Sequence, residues 1–318
     1  MRLLLTCTFA LVALLGCGPA KPAPTPAATK LDTTQPAPET IATPASDPAA
    51  STKPGTITVK GSDTMILIAQ RWAEVYMQAH PEVTVQVTGG GSGTGIAAVI
   101  DGTCNLANAS RPIKAEEVQQ GQTKGSAIIE HKVALDALCV VVNAANPVKD
   151  LSLAQVKAIF TGAITNWSAV GGADEPIICY ARESNSGTYS FFKEHILKDA
   201  DFLATAQTMP GTAALATAVA KDSKGIGFGG AAYFGKRTDI HVVGIKLEKD
   251  SLALTPLLPD GAVDEAAIRS LTYPISRYLY CYTAGEPTGD LKAYLDWILS
   301  DEGQQLAREL EYVPLRAM

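Results

Sequence analysis

The chain has 318 residues, of which 47% are hydrophobic, and its 26 Lys and Arg against 32 Asp and Glu give a formal net charge of −6. This mild acidic charge argues against binding to nucleic acid or to an anionic membrane surface, because both favour concentrated Lys and Arg. The part of the chain that follows residue 55 is long enough for one large domain or two smaller lobes.

The start of the chain has the pattern of an export signal. Arg2 supplies a basic beginning, residues 3–15 form an apolar core that is too short to span a membrane, and Leu14-Leu15-Gly16-Cys17 follows. This ending resembles the lipobox of bacterial lipoproteins, in which the cysteine thiol is acylated and becomes the first residue. We therefore predict a signal peptide over residues 1–17, lipidation at Cys17, and anchoring at the periplasmic or outer-surface face of a bacterial membrane. The alternative is an ordinary secreted protein in which Cys17 is incidental.

Residues 18–55 differ sharply from the rest of the chain. They hold about half of the 19 prolines, interleaved with Ala, Thr and Ser, and large apolar residues are nearly absent. Such a segment cannot bury enough apolar surface to offset its chain entropy. We predict a disordered or extended tether, and its composition indicates no chemistry.

Short apolar runs alternate with helical patterns through the remainder of the chain. The predicted strands lie near residues 57–59, 83–87, 138–142, 177–180, 226–228, 241–245 and 278–282. The predicted helices begin near Met65, Gly95 and Ser152, and four more cover residues 189–197, 213–220, 290–300 and 302–309. This alternation predicts an α/β fold.

The cysteines and histidines predict neither a metal site nor a catalytic base. Cys7 lies in the leader, which leaves Cys104, Cys139, Cys179 and Cys281 in the folded part. In an exported protein these four could form two disulfides, but all lie in or beside apolar runs, so buried free thiols are an equal alternative. The four histidines are scattered singly: His80, His131, His195 and His241.

Three segments rich in glycine and hydroxyl side chains stand where a predicted strand gives way to a helix. They are Gly61-Ser62-Asp63-Thr64, Gly89 to Gly95 and Ser184-Asn185-Ser186-Gly187-Thr188. A helix N-terminus exposes free backbone N–H groups and a partial positive charge, which favour oxyanions. Each segment alone is better explained as an ordinary helix cap. Three of them, together with Arg182 as a bidentate donor, favour an oxyanion-binding site.

These segments also carry a resemblance to a known family. Together with Ala109-Ser110-Arg111, residues 159–162, 164–167, 225–228 and 273–277, and Arg182, they resemble the phosphate-binding proteins of the Pst-type ABC transporter. The resemblance covers nearly everything after Thr56. It implies a two-lobed type II periplasmic-binding-protein fold whose hinge is crossed twice, and it implies no cofactor, no metal and no catalytic residue. The partners it implies are inorganic phosphate and the permease subunits of an ABC-type importer.

The resemblance also implies which residues bind the ligand. Thr64 and the backbone N–H of Met65 correspond to one set of phosphate donors, Ser92 to a second, and Arg182 with Ser186, Gly187 and Thr188 to a third. Ser62, Asp63 and Ser110 are expected to line the same cleft.

One position departs from the pattern of many relatives. Those relatives carry an aspartate just after the serine of the middle motif, where it accepts the proton of bound phosphate and rejects sulfate. Arg111 stands there in this chain. We therefore expect Asp63 to supply the acceptor and Arg111 to add a positive contact.

The family fold further implies the limits of the lobes. Lobe one is expected to comprise residues 56–135 and 279–318, and lobe two residues 136–278. The first two donor segments would then face the Arg182 segment across the cleft, and closure around the ligand would be the signal that the importer reads.

Three competing functions follow from the sequence. Gly93 to Ala98 fits the G-x-G-x-x-A pattern of dinucleotide-binding enzymes, but that pattern alone is weak and does not follow the first strand. A binding protein for sulfate, molybdate or a phosphonate, or a phosphate sensor, would use similar donors. A surface adhesin or structural lipoprotein is disfavoured because Arg182, Ser186 and Thr188 are all present.

Overall fold

A computed structural model describes residues 55–317 of the chain. The predicted signal peptide, the lipidation site at Cys17 and the predicted tether up to Pro54 lie outside these described residues. Among the described residues, no helix is both long and apolar enough to cross a membrane.

The described part of the chain is a mixed α/β structure, as the sequence predicts. Its strands are β1 (Thr56–Gly61), β2 (Thr84–Gly90), β3 (Leu106–Ala109), β4 (Ile128–Asn143), β5 (Asp150–Ser152), β6 (Ile178–Arg182), β7 (Gln207–Met209), β8 (Gly225–Gly230), β9 (Ile240–Val242), β10 (Gly244–Lys246) and β11 (Ser276–Ala284). Its helices are α1 (Ile66–Ala79), α2 (Ser92–Ile100), α3 (Ala115–Thr123), α4 (Leu153–Phe160), α5 (Gly187–His195), α6 (Gly211–Lys221), α7 (Glu265–Arg269), α8 (Gly289–Ile298) and α9 (Asp301–Glu309).

Two predicted elements differ from the structure in an informative way. The helix expected from about Gly95 begins at Ser92, because Gly91 adopts a φ of 89° that only glycine tolerates well and turns the chain directly into the helix. The single strand expected over 241–245 is divided into β9 and β10, which pair with β4 and β5 respectively.

One strand connects the two halves of the main sheet, whose order is β2-β1-β3-β11-β4-β8-β6-β7. The first half of β4 pairs with β11 through residues 128–137, and its second half pairs with β8 through residues 138–142. Residues 133–142 of β4 are all buried and, apart from Asp136, apolar, so the strand can pass from one half of the sheet to the other without a break.

Three hydrophobic clusters form the core of the described residues. The largest is built from residues 135–275 together with Val313. The other two lie on opposite faces of the sheet: Leu279 and Cys281 of β11 belong to one, and Tyr280 and Tyr282 to the other. This division follows from the alternation of side chains along a strand.

The structure resolves the alternatives for the four cysteines of the folded part. Cys104, Cys139, Cys179 and Cys281 are all buried and free. Burial raises the pKa of every one of these thiols, to about 11 for Cys104 and about 12 for Cys179. Among the described residues, no group of His, Cys, Asp and Glu side chains is arranged to hold a metal ion.

Candidate ligand-binding cleft

Four buried hydroxyl groups from distant parts of the chain converge at one point. The Thr64 and Thr188 Oγ1 atoms lie 2.7 Å apart, and Ser110 Oγ lies 3.4 Å from both Thr188 Oγ1 and Ser92 Oγ. None of these four residues is more than 1% exposed. We call Thr64, Ser92, Ser110 and Thr188 the hydroxyl cluster.

Two helices begin at the hydroxyl cluster. Ser92 is the first residue of α2, and Gly187 and Thr188 are the first two residues of α5. A side chain at position 187 could not fit, since a Cβ there would lie 2.7 Å from Ser110 Oγ and closer still to Ser92 Oγ. The two helix N-termini, each with its partial positive charge, therefore lie at the same small volume.

Ser186 lies next to this volume but is used as a helix cap. Its side chain accepts a hydrogen bond from the Tyr189 N–H at 3.3 Å, which fixes the start of α5. Capping of this kind stabilises a helix by about 1 kcal/mol.

Arg182 joins the predicted first and third donor segments. Its Nη2 donates to Asp63 Oδ2 at 2.7 Å and its Nη1 donates to Thr212 Oγ1 at 3.0 Å, and Arg182 is only 2% exposed. Asp63 is fixed from its other side as well, because its Oδ1 accepts the Gly90 N–H at 2.9 Å. The segments Gly61–Thr64, Gly89–Gly95 and Ser184–Thr188 are thus brought together by charge-assisted bonds.

A second arginine reaches the hydroxyl cluster, and the sequence reasoning did not assign it to the site. Arg277 Nη2 donates to Thr188 Oγ1 and Arg277 Nη1 donates to the carbonyl oxygen of Ser110, both at 3.1 Å. Arg277 also donates twice to Asp136 Oδ2, at 3.0 and 2.8 Å. Two signals in the sequence point to this pair. Asp136 is the only charged residue in the apolar run 133–142, and Arg277 ends the segment 273–277, which contributes to the family resemblance.

The Asp136 carboxyl group is completely buried. Burial raises its pKa, while the charge and hydrogen bonds of Arg277 act in the opposite direction. Among the described residues, its Oδ1 atom has no hydrogen-bond partner. Removing either partner of such a buried ion pair strongly destabilises the protein, because the other charge is left unpaired.

Three predicted site residues are engaged elsewhere or stand apart from the hydroxyl cluster. The Met65 N–H donates to the Ser62 carbonyl oxygen at 3.0 Å, and Ser62 Oγ is buried without a partner among the described residues. Arg111 forms a bidentate pair with Glu117, at 2.8 and 2.6 Å, and its Nη1 also donates to Pro112 O at 2.9 Å. The charge of Arg111 is therefore balanced locally.

Two tyrosines support the backbone of the first segment. The Tyr233 hydroxyl donates to the Asp63 carbonyl oxygen and the Tyr312 hydroxyl donates to the Thr64 carbonyl oxygen, both at 2.6 Å. These bonds hold the two carbonyl groups in place, so the Thr64 side chain is presented by a fixed backbone. Burial raises the pKa of both hydroxyl groups, which keeps them protonated as donors.

The arrangement suits a small oxyanion that has lost its water shell. Hydroxyl groups and helix N-termini provide several donors. Arg277 is paired with Asp136, and Arg182 is paired with Asp63 and more loosely with Glu183. A tetrahedral anion that separated the hydroxyl groups would accept hydrogen bonds from several directions at once.

Comparison with known proteins gives consistent matches. Residues 42–302 match the model of the PBP superfamily domain. The phosphate-binding protein PstS of Pseudomonas aeruginosa is 33% identical over 285 residues, covering 84% of this chain and 85% of the relative. PstS of Bacillus subtilis is 32% identical over 266 residues, covering 83% and 82%.

Solved structures of the same kind are also similar. A structure with bound phosphate of a phosphate ABC transporter substrate-binding protein from Clostridium perfringens has a TM-score of 0.72 and 28% identity, and the match covers 82% of this chain and all of the other. An ABC-type phosphate transport receptor from Vibrio cholerae has a TM-score of 0.63 and 27% identity, with 81% and 99% covered.

Proposed function

The chain belongs to the PBP superfamily and to its phosphate-binding PstS branch, and we propose that it binds inorganic phosphate and delivers it to an ABC-type importer. Its fold is the two-lobed type II periplasmic-binding-protein fold. The observation that carries the proposal is the hydroxyl cluster, in which four buried hydroxyl groups meet at the N-termini of α2 and α5. Arg182 is bonded to Asp63, the residue that precedes Thr64. Its role is ligand binding rather than catalysis.

In this proposal the ligand takes the centre of the hydroxyl cluster. Thr64, Ser92, Ser110 and Thr188 donate their hydroxyl hydrogens to phosphate oxygens, in place of the contacts they now make with one another. The Gly187 N–H and the Arg182 guanidinium group are the further donors in this proposal. The proximity of these groups supports their assignment as a single site.

Asp63 is our proposed acceptor for the proton of hydrogen phosphate. Its carboxylate contacts Arg182 of the proposed site at 2.7 Å, and it is partly exposed rather than sealed in the core. Sulfate has no proton at neutral pH, so a carboxylate facing it would be repelled. Arg111 would contribute only a distant positive charge, because Glu117 balances it.

We further propose that lobe one comprises residues 56–135 and 279–318, that lobe two comprises residues 136–278, and that β4 and β11 form the two hinge crossings. Two observations support these limits. The largest hydrophobic cluster draws on residues 135–275 apart from Val313. The pairing of β4 with β11 shifts register between Leu279 and Tyr280, where a local irregularity would ease bending.

The site would act outside the cytoplasmic membrane. The lipobox-like Leu14 to Cys17 supports export and attachment through a lipid on Cys17, and residues 18–55 would tether the binding domain. Replacing Cys17 by serine should abolish incorporation of labelled palmitate while leaving phosphate affinity unchanged. Labelling of the Cys17→Ser protein would contradict the anchor.

Competition calorimetry at neutral pH with phosphate, sulfate and molybdate tests the proposed function. We expect phosphate to bind in the low micromolar range or tighter and the other two anions to bind far more weakly. Phosphate should also raise the thermal midpoint, because a ligand that binds only the native state stabilises it. If sulfate or molybdate bound more tightly than phosphate, the protein would be a receptor for that other oxyanion.

A further inference from the structure

The buried pair Arg277–Asp136 lies against the hydroxyl cluster, although neither residue belongs to the three donor segments. Arg277 is 4% exposed and Asp136 is 1% exposed. One guanidinium group makes four hydrogen bonds: two to Asp136 Oδ2, one to the Ser110 carbonyl oxygen and one to Thr188 Oγ1. Arg277 therefore links an internal carboxylate to two residues of the cluster.

The hydrogen bond from Arg277 to Thr188 determines how the Thr188 hydroxyl group can be used. A guanidinium group can only donate, so the Thr188 oxygen must accept this bond. The Thr188 hydroxyl hydrogen is then left to be donated elsewhere, and Thr64 Oγ1 lies 2.7 Å away in the cluster. An unprotonated oxygen of an anion in the cluster would receive that hydrogen, since such an oxygen accepts hydrogen bonds and cannot donate.

The fixed position of Arg277 depends on Asp136. Both Nε and Nη2 donate to the same carboxylate oxygen, and the carboxyl group is sealed within β4. This pairing also balances the arginine charge while the site is empty. When an anion binds in the hydroxyl cluster, only the Thr188 hydroxyl group separates it from the positively charged Arg277. The low dielectric of this buried region strengthens the attraction between the two charges.

We propose that Arg277 is a positioning residue for anion binding: it orients Thr188 as a hydrogen-bond donor, and Asp136 holds it in place. This inference rests on the proposed phosphate-binding function and assigns to that site a second guanidinium group. The alternative is that the pair merely stabilises the junction of β4 and β11.

Removing Arg277 alone would not separate these roles, because Asp136 would be left as an unpaired buried charge and the protein could unfold. The test variant therefore removes both charges, as Arg277→Met with Asp136→Asn. The matched control removes the remote pair formed by Arg308 and Glu265, as Arg308→Met with Glu265→Gln. Thermal unfolding without ligand shows how much stability each double variant has lost.

The experiment is a double-mutant cycle read by phosphate calorimetry on the purified mature protein. It compares the parent, the Arg277→Met/Asp136→Asn variant, Thr188→Val, and the combination of all three changes. We expect the charge-free variant to bind phosphate about 10- to 100-fold more weakly, in line with loss of a charge-assisted hydrogen bond. Thr188→Val should weaken binding similarly, and the combined variant should be little worse than either. The remote control should bind within about twofold of the parent, given the usual independence of distant sites.

The proposal is overturned if the charge-free variant binds phosphate as tightly as the parent. It is also overturned if the losses multiply in the combined variant, since Arg277 would then not act through Thr188. A parent protein that fails to bind phosphate would instead refute the proposed function itself, so the two failures are distinguishable.

Discussion

At the scale of single residues, Asp63 joins more parts of the cleft than its neighbours do. One carboxylate oxygen accepts a bond from Arg182 and the other accepts the Gly90 N–H. Its backbone carbonyl oxygen accepts a bond from Tyr233. Asp63 thus serves as an anchor for the arginine as well as a proposed proton acceptor, and a single substitution can separate these two roles.

We predict that Asp63→Asn will weaken phosphate binding by about 10-fold. The amide has a single acceptor oxygen, so its NH2 group must face either Arg182 or the Gly90 N–H, which are both donors, and the charge that pairs with Arg182 is lost. If Asp63 also accepts the phosphate proton, the preference for phosphate over sulfate will fall as well. Calorimetry with both anions measures the two effects separately. Glu183→Gln is the control, since Glu183 contacts Arg182 Nε at 3.3 Å but is 37% exposed in its side chain. An Asp63→Asn protein that prefers phosphate as strongly as the parent would refute the acceptor role.

The residues of the cleft that stand in local motifs could be predicted from the sequence. Thr64, Ser92 and Thr188 each lie in a segment of glycine and hydroxyl residues at a helix start, and the structure brings these segments together. Arg277 and Asp136 stand in no such motif. They are 141 positions apart and meet only because β11 pairs with β4, so their contact depends on sheet register rather than on local pattern.

At the scale of elements, the side chain of Asn185 joins the second and third donor segments, although Asn185 does not belong to the hydroxyl cluster. Asn185 Nδ2 donates to the Gly90 carbonyl oxygen at 2.9 Å and to Thr94 Oγ1 at 3.1 Å. The Asn185 carbonyl oxygen accepts the Gly93 N–H at 2.9 Å. These bonds hold the start of α2 against the loop that precedes α5, so they stabilise this arrangement without contacting the hydroxyl cluster. In the proposed two-lobed mechanism they would favour the closed form.

We predict that Asn185→Ala will weaken phosphate binding by about 2- to 10-fold, mostly through faster release, because two bonds that favour the closed form are lost. Stopped-flow measurement of the release rate tests this. Thr94→Val removes only one of the two bonds and should have a smaller effect. Release at the parent rate from Asn185→Ala would show that these contacts do not contribute to closure.

The elements themselves were predictable to different degrees. Helices α5, α6, α8 and α9 begin and end close to their predicted limits, because each has an apolar stripe. Ser186 and Ser300 also cap α5 and α9. The length of β4 was not predictable, since only its second half is an uninterrupted apolar run and its first half carries charged residues. Its polar first half is held as a strand by pairing with β11, which is a tertiary effect.

At the scale of the whole molecule, every one of the three hydrophobic clusters contains at least one free thiol. Cys139 and Cys179 lie in the largest cluster, Cys281 in the second and Cys104 in the third. Each thiol is protonated in its apolar surroundings, and ionising it would place a charge in the core. The free energy of unfolding should therefore depend on pH through the ionisation of these thiols.

We predict that the free energy of unfolding will fall as the pH rises above 9. Burial raises the pKa of Cys104 to about 11 and that of Cys179 to about 12 in the folded chain, from an ordinary value of 9.0. In the unfolded chain both thiols lose their protons near pH 9. Above that pH the unfolded state therefore binds fewer protons than the folded state. The stabilising contribution is complete below pH 9 and is lost as the pH rises through the folded pKa values, by up to about 1.4 kcal/mol per pH unit for each thiol.

Urea unfolding between pH 8 and 10, followed by the fluorescence of the buried Trp72 and Trp167, measures this slope. The control is Cys104→Ala with Cys179→Ala, in which neither position can ionise and the fall between pH 9 and 10 should be shallower. Above pH 10 both proteins should lose stability, because burial also raises the pKa of Tyr180 and Tyr280 to about 12. Equal slopes for parent and control between pH 9 and 10 would mean that these thiols are solvated well enough to ionise in the folded state, contrary to their position in the hydrophobic clusters.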